Sequence, residues 1–114
     1  MNYISFTTDD SVVSFSGKQV TLPTDIIGYI GYIGFNSVYV FLLSEPKNAK
    51  TQYLNVCAYD VDGNQIWSIK KNKNDPFVGL TELKNGKIRG VTWSGGNYYI
   101  DPANGSKNFI GAYR

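Results

Sequence analysis

Apolar and polar positions alternate in short stretches along the chain, and no long stretch keeps the three-to-four-residue spacing of an amphipathic helix. The alternation predicts strands at Tyr3–Thr7, Ser11–Phe15, Gln19–Leu22, Ile26–Ile33, Ser37–Leu43, Tyr53–Asp60, Gln65–Ile69, Phe77–Leu83, Lys87–Trp93, Asn97–Ile100 and Lys107–Tyr113. Between them stand Ser16-Gly17, Asp62-Gly63, Asn85-Gly86, Gly95-Gly96 and Asn104-Gly105, dipeptides that supply positive φ at a hairpin reversal. Ser37–Leu43 (SVYVFLL) is apolar on both faces and predicts a central strand. Ser44–Thr51 (SEPKNAKT) is polar and interrupted by proline, and predicts an exposed loop. The expected fold is a single all-β domain over residues 1–114. It is an antiparallel meander of blade-like hairpins, two packed sheets forming a sandwich or a partly closed barrel.

A weak internal repeat supports that expectation. VVSFSGKQVTL (12–22), CAYDVDGNQIW (57–67) and YYIDPANGSKNF (98–109) each read as a strand, a glycine turn and a returning strand. Their turn glycines, Gly17, Gly63 and Gly105, recur near the ~40–45-residue period of a propeller blade. AYDVDGNQIW and the run from Gly79 to Gly111 resemble the repeats of pyrroloquinoline-quinone-type β-propellers. Tyr59, Asp60, Gly63 and Trp67 match the hairpin that closes a blade in that family. The resemblance implies blade-like antiparallel sheets and does not imply a cofactor.

Composition changes the picture in three ways. The aromatic share is 15%, with nine Tyr, which suits pleated surfaces and binding faces. Net charge is only +2, yet residues 1–69 carry −3 and residues 70–114 carry +5, an asymmetry that points to a charged partner unless folding interleaves the halves. Cys57 is the single cysteine, so no intrachain disulfide forms. MNYISFTTDD has neither the basic start nor the apolar core of a signal peptide, and no window reaches the ~18 apolar residues of a membrane span. A cytoplasmic location is expected.

The chain has no histidine, which removes Ser-His-Asp and Cys-His nucleophile systems, His-ligated metals and His general bases. Cys57, inside an apolar strand, reads as an inert packed thiol. Asp60-Val61-Asp62-Gly63-Asn64 has the wrong glycine position for a calcium loop and reads as a hairpin turn. No metal or cofactor is expected. Gly28-Tyr29-Ile30-Gly31-Tyr32-Ile33-Gly34-Phe35 reads as a bent strand whose Tyr29, Tyr32 and Phe35 form an aromatic strip. Lys70-Lys71-Asn72-Lys73-Asn74 reads as a solvated basic link, and the near-neutral balance speaks against nucleic acid.

The expected function is therefore non-catalytic protein binding. By type the chain resembles small bacterial immunity proteins that bind and occlude a toxin domain. A toxin with a basic cleft, such as a nuclease, would be met by Asp9, Asp10, Asp25, Glu45, Asp60 and Asp62, with Tyr29, Tyr32 and Phe35 as anchors. The alternative is a lectin-like carbohydrate-binding module whose copies assemble into a complete propeller, with Trp67 or Trp93 stacking on sugar rings.

Overall fold

A computed structural model describes residues 4–5, 11–15, 17–31 and 37–112. They form eleven strands and no helix, and so no helix long and apolar enough to cross a membrane. The strands are β1 (Ile4–Ser5), β2 (Val12–Phe15), β3 (Lys18–Thr21), β4 (Ile26–Gly31), β5 (Tyr39–Leu43), β6 (Gln52–Tyr59), β7 (Gln65–Asn72), β8 (Phe77–Glu82), β9 (Ile88–Thr92), β10 (Gly96–Ile100) and β11 (Lys107–Ala112). All pairings are antiparallel between neighbours in sequence, giving three meander sheets. The N-terminal sheet has the order β1-β2-β3, the middle sheet β4-β5-β6-β7, and the C-terminal sheet β11-β10-β9-β8.

The sheets stack face to face with the middle one between the other two. Two separate apolar cores result. Val13, Phe15 and Leu22 pack with Ile26, Tyr39, Phe41, Leu43, Cys57 and Tyr59 between the N-terminal and middle sheets. Val40, Leu42, Val56, Ala58, Trp67 and Ile69 pack with Phe77, Ile88 and Ile100 between the middle and C-terminal sheets. This explains the doubly apolar SVYVFLL segment: side chains alternate across a strand, so β5 sends Tyr39, Phe41 and Leu43 into one core and Val40 and Leu42 into the other. The architecture is an all-β sandwich of three layers, where the sequence predicted two sheets, and no barrel closes among the described residues. Turn signals mark hairpins; they do not mark where one sheet ends and the next begins.

Asn55 joins two of the layers. It sits at a register shift in β6 and is fully buried. Its Oδ1 accepts the Phe77 amide at 2.6 Å, and its Nδ2 donates to the Leu43 and Phe77 carbonyls, both at 3.3 Å. One side chain thus saturates the backbone where β8 begins against the end of β5, and buried polar groups need such partners.

The sequence repeat reappears in space. Its three copies are the hairpins β2–β3, β6–β7 and β10–β11, each the last hairpin of its own sheet. Each of the five predicted turns has one glycine at positive φ, between 75° and 96°: Gly17, Gly63, Gly86, Gly95 and Gly105. Two of them also fasten layers. A Cβ at Gly63 would lie 3.0 Å from the Phe15 ring of the preceding sheet, and one at Gly105 would lie 2.7 Å from the Trp67 ring. The Trp67 indole N–H donates to the Pro102 carbonyl at 2.7 Å in the same turn. Each turn backbone therefore seats on an aromatic of the layer before it.

Candidate functional site

The acidic set predicted to meet a partner is divided. Asp25 and Glu45 flank Ile26 and Leu43, which pair at one end of the middle sheet. Asp60 and Asp62 lie in the β6–β7 turn at the opposite end, beyond the whole length of β6. The Asp60 carboxylate is occupied by its own hairpin. The Asn64 amide holds its pKa below the usual carboxylate range against a rise from desolvation, and the Asp62 amide, the Asn64 side chain and nearby Lys18 act in the same direction. Lys18 also donates to Asn64 Oδ1 at 3.4 Å. Tyr29 lies on β4 between these ends, stacked on Tyr39, tilted against Phe41 and 39% exposed. Burial, then the neighbouring Tyr39, pushes its pKa up to about 12. Asp9, Asp10, Tyr32 and Phe35 lie outside the described residues.

Sequence reasoning missed a more coherent surface. The N-terminal and C-terminal sheets each turn one face outward, and the two faces differ. In the N-terminal sheet Val13 and Phe15 point into the core, which leaves Ser5, Ser14, Gln19, Val12 and Thr21 on the outer face. That face is mainly polar. In the C-terminal sheet Ile88 and Ile100 point inward, so the paired rows Thr81–Arg89–Tyr99–Asn108 and Gly79–Val91–Asn97–Gly111 face out. Here Tyr99 is exposed, and Val78 and Ile110 are exposed beside the sheet's two register shifts, at 47% and 43%.

The polar groups of this face are already ordered. Arg89 donates through Nε and Nη2 to Asn97 Oδ1 at 2.9 and 2.7 Å, and Asn97 is buried and donates onward to the Gly95 carbonyl at 3.1 Å. Lys87 places its ammonium 5.7 Å from the Tyr99 ring centroid. A planar cation and an aromatic ring held side by side among aliphatic groups are the side-chain types that dominate protein interfaces. The signal was present in the sequence as a basic second half containing IRGVTW and NYYI. The alternation that identifies a face could not say which face the core would take.

Each sheet is built from consecutive residues, so the acidic half supplies the N-terminal sheet and most of the middle one, and the basic half supplies the end of β7 and the C-terminal sheet. Lys70, Lys71 and Asn72 do not form the link their composition predicts; they continue β7, paired with Leu54, Tyr53 and Gln52, with Lys70 and Asn72 exposed.

Comparison with known proteins adds no named relative: no curated protein and no solved structure matches the chain. One family model does, over residues 1–110, and the chain belongs to that family, described as a domain of unknown function (DUF7957).

Proposed function

We propose that this chain is a non-catalytic protein-binding module that engages its partner through the outer face of the C-terminal sheet. The observation that carries this reading is the asymmetry of the stack, polar at one end and lined by Tyr99, Arg89 and aliphatic groups at the other. Stacked β-layers exposed to water carry polar outer faces, and an aromatic–aliphatic face with an ordered arginine departs from that rule where something is bound. The most concrete form is an immunity protein that occludes a bacterial toxin. Because Asp25 and Glu45 lie at the opposite end of the middle sheet from Asp60 and Asp62, while Arg89 and Lys87 stand beside Tyr99, the complementary toxin surface is acidic and apolar, and capture of a basic nuclease cleft has less support. Co-expression with the product of the adjacent gene tests this form. The expected result is a stoichiometric complex on gel filtration and loss of that product's toxicity; full toxicity within a formed complex contradicts it.

The second reading, a lectin-like module assembled from several copies, draws on the stacked meanders and on Trp93, which is 75% exposed in the β9–β10 turn. It requires several copies to close a ring of four or more blades. Sedimentation showing a stable monomer excludes it.

A further inference from the structure

Two Asn-Gly pairs stand in this chain, Asn85-Gly86 and Asn104-Gly105, and locally they are built alike. Both glycines lie in the left-handed region, at φ 81° and 75°. In each turn the asparagine Oδ1 accepts the amide two residues on, from Lys87 at 3.0 Å and from Ser106 at 2.9 Å. Such a turn keeps the side-chain amide close to the glycine nitrogen, which has no Cβ to shield it. Asparagine is thermolabile, and an unshielded nitrogen next to it is the nucleophile that removes its side-chain amide. The hydrogen bond to Oδ1 also waits where negative charge develops during that attack.

What surrounds the two turns differs. The Gly105 amide donates to the Asp101 carbonyl at 2.7 Å, and a Cβ on Gly105 would lie 2.7 Å from the buried Trp67 ring. The Trp67 indole clamps the same turn through the Pro102 carbonyl. Opening that turn therefore breaks a contact between layers. The Gly86 amide donates to the Leu83 carbonyl at a longer 3.0 Å, and a Cβ on Gly86 would meet nothing within 4 Å. Lys84, Asn85 and Lys87 are exposed, so the β8–β9 turn opens at the cost of its own bonds alone. Charge acts in the same direction. Lys84 and Lys87 flank Asn85 and favour the anion that forms when the glycine nitrogen loses its proton, whereas Asp101 in the other turn opposes it.

We propose that Asn85 is a site of spontaneous deamidation in the folded protein, and that Asn104 is protected by its seat on Trp67. The Gly86 nitrogen gives its proton to hydroxide and bonds to Asn85 Cγ; the Cγ–Nδ2 bond breaks and ammonia leaves. Water then opens the resulting five-membered imide at either carbonyl, leaving an aspartyl or an isoaspartyl residue. The product carries a new carboxylate two residues from Lys87, whose ammonium stands over the Tyr99 ring, so the change reaches the rim of the outer face.

Peptide mapping by mass spectrometry, after warm incubation at mildly alkaline pH in water enriched in heavy oxygen, tests this. Asn85 should convert at least about tenfold faster than Asn104, each product carrying one heavy oxygen from the ring opening. In guanidinium chloride, where neither turn is held, the gap should shrink to within about threefold. Gly86→Ala should slow conversion at Asn85 by about tenfold or more in a variant that keeps the native spectrum. NMR of the converted protein should show shifts at Lys87 and Tyr99 and none at Trp67. Conversion of Asn85 no faster than that of Asn104, the same gap in denaturant, or an unchanged rate in Gly86→Ala would each overturn the proposal.

Discussion

Asn55 shows how much one polar side chain can determine in a β-stack. Its carboxamide satisfies the Phe77 amide and the Leu43 and Phe77 carbonyls inside the core. Asn55→Ala should cost about 2–4 kcal/mol in urea denaturation, because it strands those groups in the core as well as removing bonds. An isosteric apolar change, Asn55→Leu, should not restore the loss; a cost under about 0.5 kcal/mol for either variant would deny the residue its bridging role. In the sequence, Asn55 shows only as a polar interruption of the apolar run YLNVCAY. That marks it as unusual without naming its partners, which lie on two other strands.

Cys57 gives a second prediction at this scale. Burial alone pushes its thiol from an ordinary 9.0 up to about 12. Below pH 9 the thiol is neutral in both states and contributes no pH dependence. Between pH 9 and 12 the unfolded chain releases a proton that the folded chain keeps, so stability falls as pH rises. Three units correspond to roughly 4 kcal/mol as an upper bound. Chemical denaturation across that window should show the slope in the native chain and a shallower one in Cys57→Ala, since tyrosines such as Tyr29 with raised pKa add to it. Rapid modification of Cys57 by a thiol reagent at neutral pH would contradict its place in the core.

At the scale of elements, the hairpins were legible because their determinants are local. A positive-φ glycine between alternating strands requires nothing from the rest of the molecule, and Gly17, Gly63, Gly86, Gly95 and Gly105 all behave accordingly. The end of β7 was not legible. Lys70, Lys71 and Asn72 are poor strand formers, but pairing with β6 imposes the strand, and Lys71 lays its stem over aromatic rings. Turn glycines differ in what surrounds them, which makes a graded test. A Cβ at Gly86 meets nothing within 4 Å, so Gly86→Ala should cost only the left-handed conformation, about 1 kcal/mol. Gly105→Ala adds a collision with the Trp67 ring and should cost about 2–4 kcal/mol. Equal costs at the two sites would show that the β10–β11 turn does not seat on Trp67.

For the whole molecule, consecutive assembly of sheets gives the two ends of the stack different outer faces, because each sheet is formed from one continuous segment. The number of layers and the choice of which face stays outside depend on contacts between segments far apart in sequence, such as Asn55 with Phe77 and Trp67 with Pro102. Local periodicity carries no record of those contacts. For the same reason Asp25 and Glu45 fall at the opposite end of the middle sheet from Asp60 and Asp62, while Arg89, Asn97 and Tyr99 converge on one face.

The affinity of the complex with the native partner, measured for Tyr99→Ala and Arg89→Ala beside Asp25→Lys and Glu45→Lys, bears most directly on this account. Tyr99→Ala and Arg89→Ala should each weaken binding by about 2 kcal/mol, some thirtyfold, in variants that keep the native spectrum, and the acidic-end reversals should leave it within about twofold. Undiminished affinity in both outer-face variants, or loss confined to the acidic-end reversals, would contradict it.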